Sequence, residues 1–441
     1  IFFLVILIIH QLIFQTFFPN DYGFLGHDYE YFIPQLLSGS VWFKNNFLSV
    51  PWFTPSFCCG SPFFADPQSM YYSITQLIFV IFNPITSIKI VFFIFSLISY
   101  LGMFLLASKV FRFNSYTSLL CASLFLFNGF FIYRAIAGHM AYLSYIFIPI
   151  YCFFLIKSHE KNSKEIKNIY LVISSIIFAN FFHSGASPII IILLAGIISV
   201  LLFYSHLTNG VKVFFTFIAS FVLGILISLS KISASLFFLK NFPRQYPSTE
   251  FNSLVSFIKT IFLSFFIKPD QQYFNKSVKS MFPFGVHEME YSVGIVPLIL
   301  IVLSIFLIKN IYKLNYYNLR FTVLILAIFF IPILFNVNFI NQFNLISEIP
   351  ILRSTWIQFR WMLIYIIPLI IISGLILERL SFKPNLKKYL VIFLISTVLI
   401  QNYIKDKSWH LEDQKYNPQN ALDFFKKIKK GKSHEIIGPA V

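Results

Sequence analysis

Apolar residues occur along this chain in long runs, with polar residues gathered between them. Ile1–Phe18, Ile90–Ala107 and Trp361–Leu377 are almost unbroken. Runs of about 17–25 apolar residues are long enough to cross the hydrocarbon core of a bilayer as helices. A membrane β-barrel would instead show short segments of alternating polarity, a pattern not found in this sequence. The run pattern predicts about eleven spans, at Ile1–Phe18, Ile90–Ala107, Ser115–Tyr133, Ala141–Ile156, Ile169–Phe182, Pro188–Tyr204, Val213–Ser228, Val293–Leu307, Phe321–Phe335, Trp361–Leu377 and Tyr389–Tyr403. Ser69–Phe82 reads as a helix along the outer surface, and Phe251–Ile267 as a re-entrant or interfacial one. No small-residue cleavage site follows Ile1–Phe18, so it reads as a retained helix.

Composition supports the membrane class. Of 441 residues, 57% are hydrophobic and only 12% charged, and mean hydropathy is +0.76. Soluble domains carry about 25% charged residues, so this chain cannot cover a soluble surface. Its 59 phenylalanines read as lipid-facing or packing side chains. The net charge of +17 sits mainly in loops and orients the protein, with no basic, aromatic-interleaved module for nucleic acid. The four cysteines form no disulfide framework or zinc spacing.

Loop charge fixes an orientation. Short Lys/Arg-bearing loops face the cytoplasm. With the first helix running outward, Lys109/Arg112, Lys157–Lys167, Lys309–Arg320 and Arg379–Lys388 all fall inside. Of 17 acidic residues, only Glu160, Glu165 and Glu378 then remain cytoplasmic. Two long loops, 19–89 and 231–291, lie outside, and long loops of this kind are usually functional. Residues 1–404 form the transmembrane domain. Residues 405–441 form a short external tail that reads as a docking segment for partners in a membrane complex.

The first outer loop carries the most informative stretch, Gly26-His27-Asp28-Tyr29-Glu30-Tyr31-Phe32. An acidic residue close behind the first span can act as a general base on an acceptor hydroxyl, or hold a divalent cation. Asp66 competes for that role, although Pro67 marks it as a turn residue. Only seven residues are arginine, and Arg134, Arg244, Arg353 and Arg360 fall at the outer face. Arginine grips phosphate bidentately, where lysine acts as a point charge; the ordinary alternative is snorkelling to headgroups. His139, His183 and His287 sit at outer helix ends. They can join Asp28 around a metal, although each also fits as a hydrogen-bonded interfacial histidine. Lys231 can pair with a phosphate or a loop carboxylate, and Asn128-Gly129 marks a helix irregularity.

Asp66-Pro67-Gln68 with Tyr71-Tyr72, Glu290 through Leu298, and Arg353-Ser354-Thr355-Trp356 with Arg360-Trp361 and Gly374 through Leu380 together resemble the GT-C class of membrane glycosyltransferases, most nearly its YfhO-like bacterial members. The resemblance implies an all-α polytopic fold of GT-C type with juxtamembrane helices in the first outer loop. It also implies transfer of a sugar from a polyprenyl-phosphate donor to a glycan, lipid or protein acceptor at the outer face of the plasma membrane. Asp28, Asp66 and Glu290 would be the catalytic acids. Glu30, Glu288, Tyr291, His139 and His183 would line the substrate, with Lys231 and the arginines at positions 134, 244, 353 and 360 on its phosphate. A divalent cation, Mg or Mn, would be held through Asp28 and His287. A lipid-linked saccharide transporter and a non-catalytic, partner-binding subunit remain alternatives. Family members usually carry a longer external C-terminal region than this chain.

Overall fold

The computed structural model describes the chain except for residues 1, 55–59, 161–162, 209, 242–249, 280–283, 308–315, 338–356, 381, 405–413, 420–421, 424–425 and 428–441. It is all-α apart from two short antiparallel ladders, Phe53–Thr54 with Ser61–Pro62 and Glu250–Phe251 with Val278–Lys279. The helices follow the apolar runs because a backbone in lipid must satisfy its own hydrogen bonds. Among the described residues, 8 helices are long and apolar enough to cross a membrane, or up to 9 with one bent pair counted as a span. The chain is therefore an integral membrane protein. Each of the eleven expected segments is helical, but the first (Phe2–Phe17) and the eighth (Val296–Ile305) are shorter than a full span, and the seventh (Val213–Ile227) reaches that length only when joined across a 71° bend to Leu229–Asn241.

In chain order the helices begin with α1 (Phe2–Phe14), α2 (Tyr29–Asn46) and α3 (Ile74–Ile81). Then come α4 (Pro84–Leu105), α5 (Ser115–Leu126), α6 (Gly129–Ala137), α7 (Ile148–Glu160) and α8 (Lys164–His183). They continue with α9 (Ile190–Thr208), α10 (Val213–Ile227), α11 (Leu229–Asn241), α12 (Leu254–Phe266) and α13 (Gln271–Ser277). The last four are α14 (Val296–Leu307), α15 (Tyr316–Asn336), α16 (Ile366–Arg379) and α17 (Pro384–Ile404). At about 1.5 Å per residue, α3 rises roughly 12 Å and cannot span; it packs on α2, as expected of a surface helix. Ser73 caps it by accepting from Gln76 N at 3.2 Å.

The α5–α6 segment is the centre of the bundle. Its apolar window is 94% buried, against 17% for α15, and α5 packs against α4, α16 and α17. The segment breaks at Asn128, whose side chain accepts from Phe131 N at 2.9 Å and restarts the helix. Gly129 then passes against Glu290, whose carboxylate would lie 2.0 Å from any added Cβ. Gly138 closes α6 in a left-handed conformation (φ +97°) and lets the backbone of Tyr29 approach.

The two ends of the bundle differ in chemistry. At one end, Glu378 accepts from Asn114 Nδ2 and pairs with Lys387 at 3.1 Å, while Glu160 pairs with Lys157 and accepts from Tyr204 at 3.1 Å. At the other end, the loop before α2, the end of α6, the turn at 286–288 and the stretch leading into α16 converge. The tail joins this end too: Leu25 and Tyr416 exchange backbone hydrogen bonds of 2.8 and 3.0 Å, and Gln414 Nε2 donates to Phe17 O at 2.7 Å.

Candidate functional site

Four segments meet where α6 ends. The Asp28 N–H donates to Ala137 O at 3.0 Å, and the Tyr29 hydroxyl donates to Ala135 O at 2.7 Å. These bonds pin the first loop to the central helix. Arg134 stands in the last turn of α6 and His139 just beyond it. Val286–Glu288 forms a single 3-10 turn, and Gln358–Tyr365 forms a 3-10 stretch leading into α16.

Glu288 is the hub. Arg134 approaches it bidentately, Nη1 to Oε1 at 3.0 Å and Nη2 to Oε2 at 2.6 Å. Arg360 donates from Nε to Oε2 at 2.9 Å and from Nη2 to Oε1, and its Nη1 donates to the Tyr142 hydroxyl at 2.8 Å. All three charged residues are buried. Burial alone would raise the Glu288 carboxyl, but the two guanidinium groups more than offset it and hold it well below the usual carboxylate range. Two cations around one anion leave the triad with a net charge of about +1, a field that favours a nearby anion.

Asp28 lies beside this triad. It occupies the N-cap of α2, yet its side chain makes no cap hydrogen bond. A residue there normally accepts from the second or third helical N–H. Instead, Asp28 faces His27, with Oδ1 and Nε2 at 3.3 Å, and contacts His139 Nε2 through Oδ2. His139 Nδ1 in turn contacts Arg134 Nη1. Guanidinium can only donate, so Nδ1 accepts and Nε2 directs its hydrogen at Asp28. Burial, with His287 adding to it, holds the His139 imidazole well below its usual pKa and therefore neutral. His287 stands over both rings, its centroid 4.8 Å from that of His139 and 5.2 Å from that of His27.

Asp66 belongs to a neighbouring cluster. It accepts from the Tyr31 hydroxyl, from Gln35 Nε2 at 3.3 Å and from Gln68 N at 2.9 Å. Lys231, buried at the start of α11, donates to the carbonyls of Phe64 and Asp66 at 2.7 and 2.6 Å. Its partners are thus loop carbonyls, and it anchors the first loop. Asp28, Tyr31 and Gln35 recur at helical spacing on one face of α2, which sets the two carboxylates one or two turns apart.

The other expected site residues fall into four groups. Arg134, His139, His287, Glu288 and Arg360 join Asp28. Glu290 and Tyr291 are buried just behind, Glu290 against Gly129 and Tyr291 stacked between Phe130 and Phe265. Glu30 and His183 lie elsewhere. The Glu30 charge acts on Tyr416, whose hydroxyl is pushed up to about 12 by burial and then by that charge. His183 packs edge-on against Tyr72. Arg244 and Arg353 lie outside the described residues. Of two further members of the cluster, His27 was expected only to help position a sugar beside Asp28, and Tyr142 had no role from the sequence. His27 sits beside Asp28, and Tyr142 sits three residues beyond His139, one 3-10 turn on.

Fold and site together define a polytopic α-helical membrane protein with a charged, histidine-rich cluster at one end of its bundle. No family model, curated protein or solved structure matches the chain.

Proposed function

We propose that the protein is a membrane glycosyltransferase of the GT-C kind, moving a sugar from a polyprenyl-phosphate donor to an acceptor at the outer face of a plasma membrane. The observation that carries this reading is the withheld cap. Asp28 gives up the hydrogen bonds its position offers and presents its carboxylate at the end of the bundle where the first loop meets α6, partly exposed. His139 positions it, and Arg134 fixes the ring of His139. A carboxylate so placed can take the proton of an acceptor hydroxyl as its oxygen attacks the sugar. The positive field of the Arg134–Glu288–Arg360 triad would steady the departing phosphate without either arginine leaving Glu288.

A missing general base costs about 10²–10⁴-fold in rate. Asp28→Asn should therefore lose transfer from a radiolabelled lipid-linked donor by that factor while remaining abundant in the membrane. Asp66→Asn should lose less. Full transfer by Asp28→Asn would remove the assignment.

One observation favours a second reading, a non-catalytic subunit that binds partners. The triad is closed on itself, as a structural network would be. In that case Asp28→Asn and wild type would share the same absence of turnover, and partner assembly would follow the integrity of the triad.

A further inference from the structure

We propose that His27, His139 and His287, together with Asp28, form a binding site for a first-row transition metal ion of the zinc type. The proposal goes beyond the transfer reading and does not rest on it. One nitrogen from each histidine lies within 4.8 Å of the others. The rings come from three remote parts of the chain: the loop before α2, the residue after Gly138, and the turn at 286–288. The Asp28 carboxylate touches two of them.

The donor set selects the ion. Imidazole suits zinc and its neighbours, whereas Mg²⁺ demands octahedral oxygen ligands and keeps its waters. Three imidazoles with one carboxylate therefore fit zinc better than the Mg or Mn that the resemblance implied. Nitrogens bound to a tetrahedral zinc at about 2.0–2.1 Å stand roughly 3.4 Å apart, so from a spread of up to 4.8 Å the rings need to close by up to about 1.4 Å. Ligation through Nε2 moves the single ring hydrogen of neutral His139 to Nδ1, so Arg134, itself only a donor, gives up its Nη1 contact there and keeps its bonds to Glu288.

The surroundings also suit a cation site. Glu288 Oε1 lies 3.6 Å from His287 Nε2; a carboxylate so placed orients a ligating histidine. Two guanidinium charges are balanced there by the carboxylates of Glu288 and Asp28, so the ion would enter a region with no net charge from these four groups.

The test uses the full chain in detergent, stripped with a chelator, reloaded with zinc and desalted. Bound metal is read by elemental analysis, and affinity by competition with a chromophoric chelator. Wild type should retain one zinc per chain, unmoved by millimolar Mg²⁺. His27→Ala and His287→Ala should each bind at least about tenfold more weakly, while His183→Ala should bind as wild type does. The His27 side chain is 41% exposed, so its removal leaves the fold intact and decides the matter even if His287→Ala fails to fold. No retained zinc in wild type, displacement by Mg²⁺, or undiminished binding by His27→Ala overturns the site. Because bound metal is read apart from turnover, a protein that binds zinc but transfers no sugar counts against the transferase reading alone.

Discussion

Two buried guanidinium groups on one carboxylate make Glu288 the most costly single residue to neutralise at this end of the bundle. Removing one partner of a buried ion pair costs about 3–5 kcal/mol, because the remaining charge is left uncompensated. Glu288→Gln would leave Arg134 and Arg360 facing each other. It should lower the unfolding free energy in detergent by about that amount, while Glu30→Gln should change it by a few tenths of a kcal/mol. Arg360→Lys offers a finer comparison. Lysine keeps the charge but cannot serve Glu288 and the Tyr142 hydroxyl together, so its melting temperature should fall between those of wild type and Glu288→Gln. A Glu288→Gln protein as stable as wild type would contradict the buried network. The chemical types of these residues were legible in the sequence, since four arginines at one face of a lysine-rich chain stand out. Their pairing was not. Arg134 and Arg360 were expected on a phosphate, and nothing in residue type or spacing reveals that a glutamate 154 and 72 positions away occupies both.

At the scale of the element, the break between α5 and α6 places the site. A continuous helix from Ser115 to Ala137 would carry Arg134 on a different heading; the Asn128 cap and the glycine behind it permit the turn. Replacing an N-cap asparagine with alanine costs about 0.5–2 kcal/mol, so Asn128→Ala should lower stability by roughly 1 kcal/mol. Gly129→Ala should cost more, since its Cβ would strike Glu290 rather than solvent. Thermal unfolding of both variants in one detergent checks the order, and an equal or reversed ranking would show that Glu290 yields easily. The irregularity at Asn128-Gly129 was readable as two poor helix formers in an apolar run. The 71° bend between α10 and α11 was not, because Ser228 back-bonds to Gly224 O at 2.7 Å in a stretch whose hydropathy is otherwise unremarked.

For the whole molecule, all of the spans expected from hydropathy are helices, while α1, α14 and, taken without α11, α10 fall below spanning length. Hydrophobic runs report where helices form but not how much of each lies across the membrane. The joining of the tail to the first loop through Leu25 and Tyr416 puts both on one side, as loop charge also requires. Single cysteines at Asn46, Gln272 and Gln414, in a background lacking the native four, should react with an impermeant thiol reagent in intact cells, Gln414 more slowly because it is buried. A cysteine at Lys383 should react only after permeabilisation, and its labelling in intact cells would invert the topology. The Arg134–Glu288 pairing also bears on how the protein is made. Its members are 154 residues apart, and a ribosome adds about 5–20 residues per second. The nascent chain must therefore hold an unneutralised arginine near the bilayer for on the order of ten seconds before its partner emerges. During that interval the half-built bundle depends on whatever membrane insertion machinery shelters polar side chains, so depleting that machinery should reduce wild-type yield more than that of an Arg134→Met, Glu288→Met, Arg360→Met triple variant, which leaves no member of the network charged.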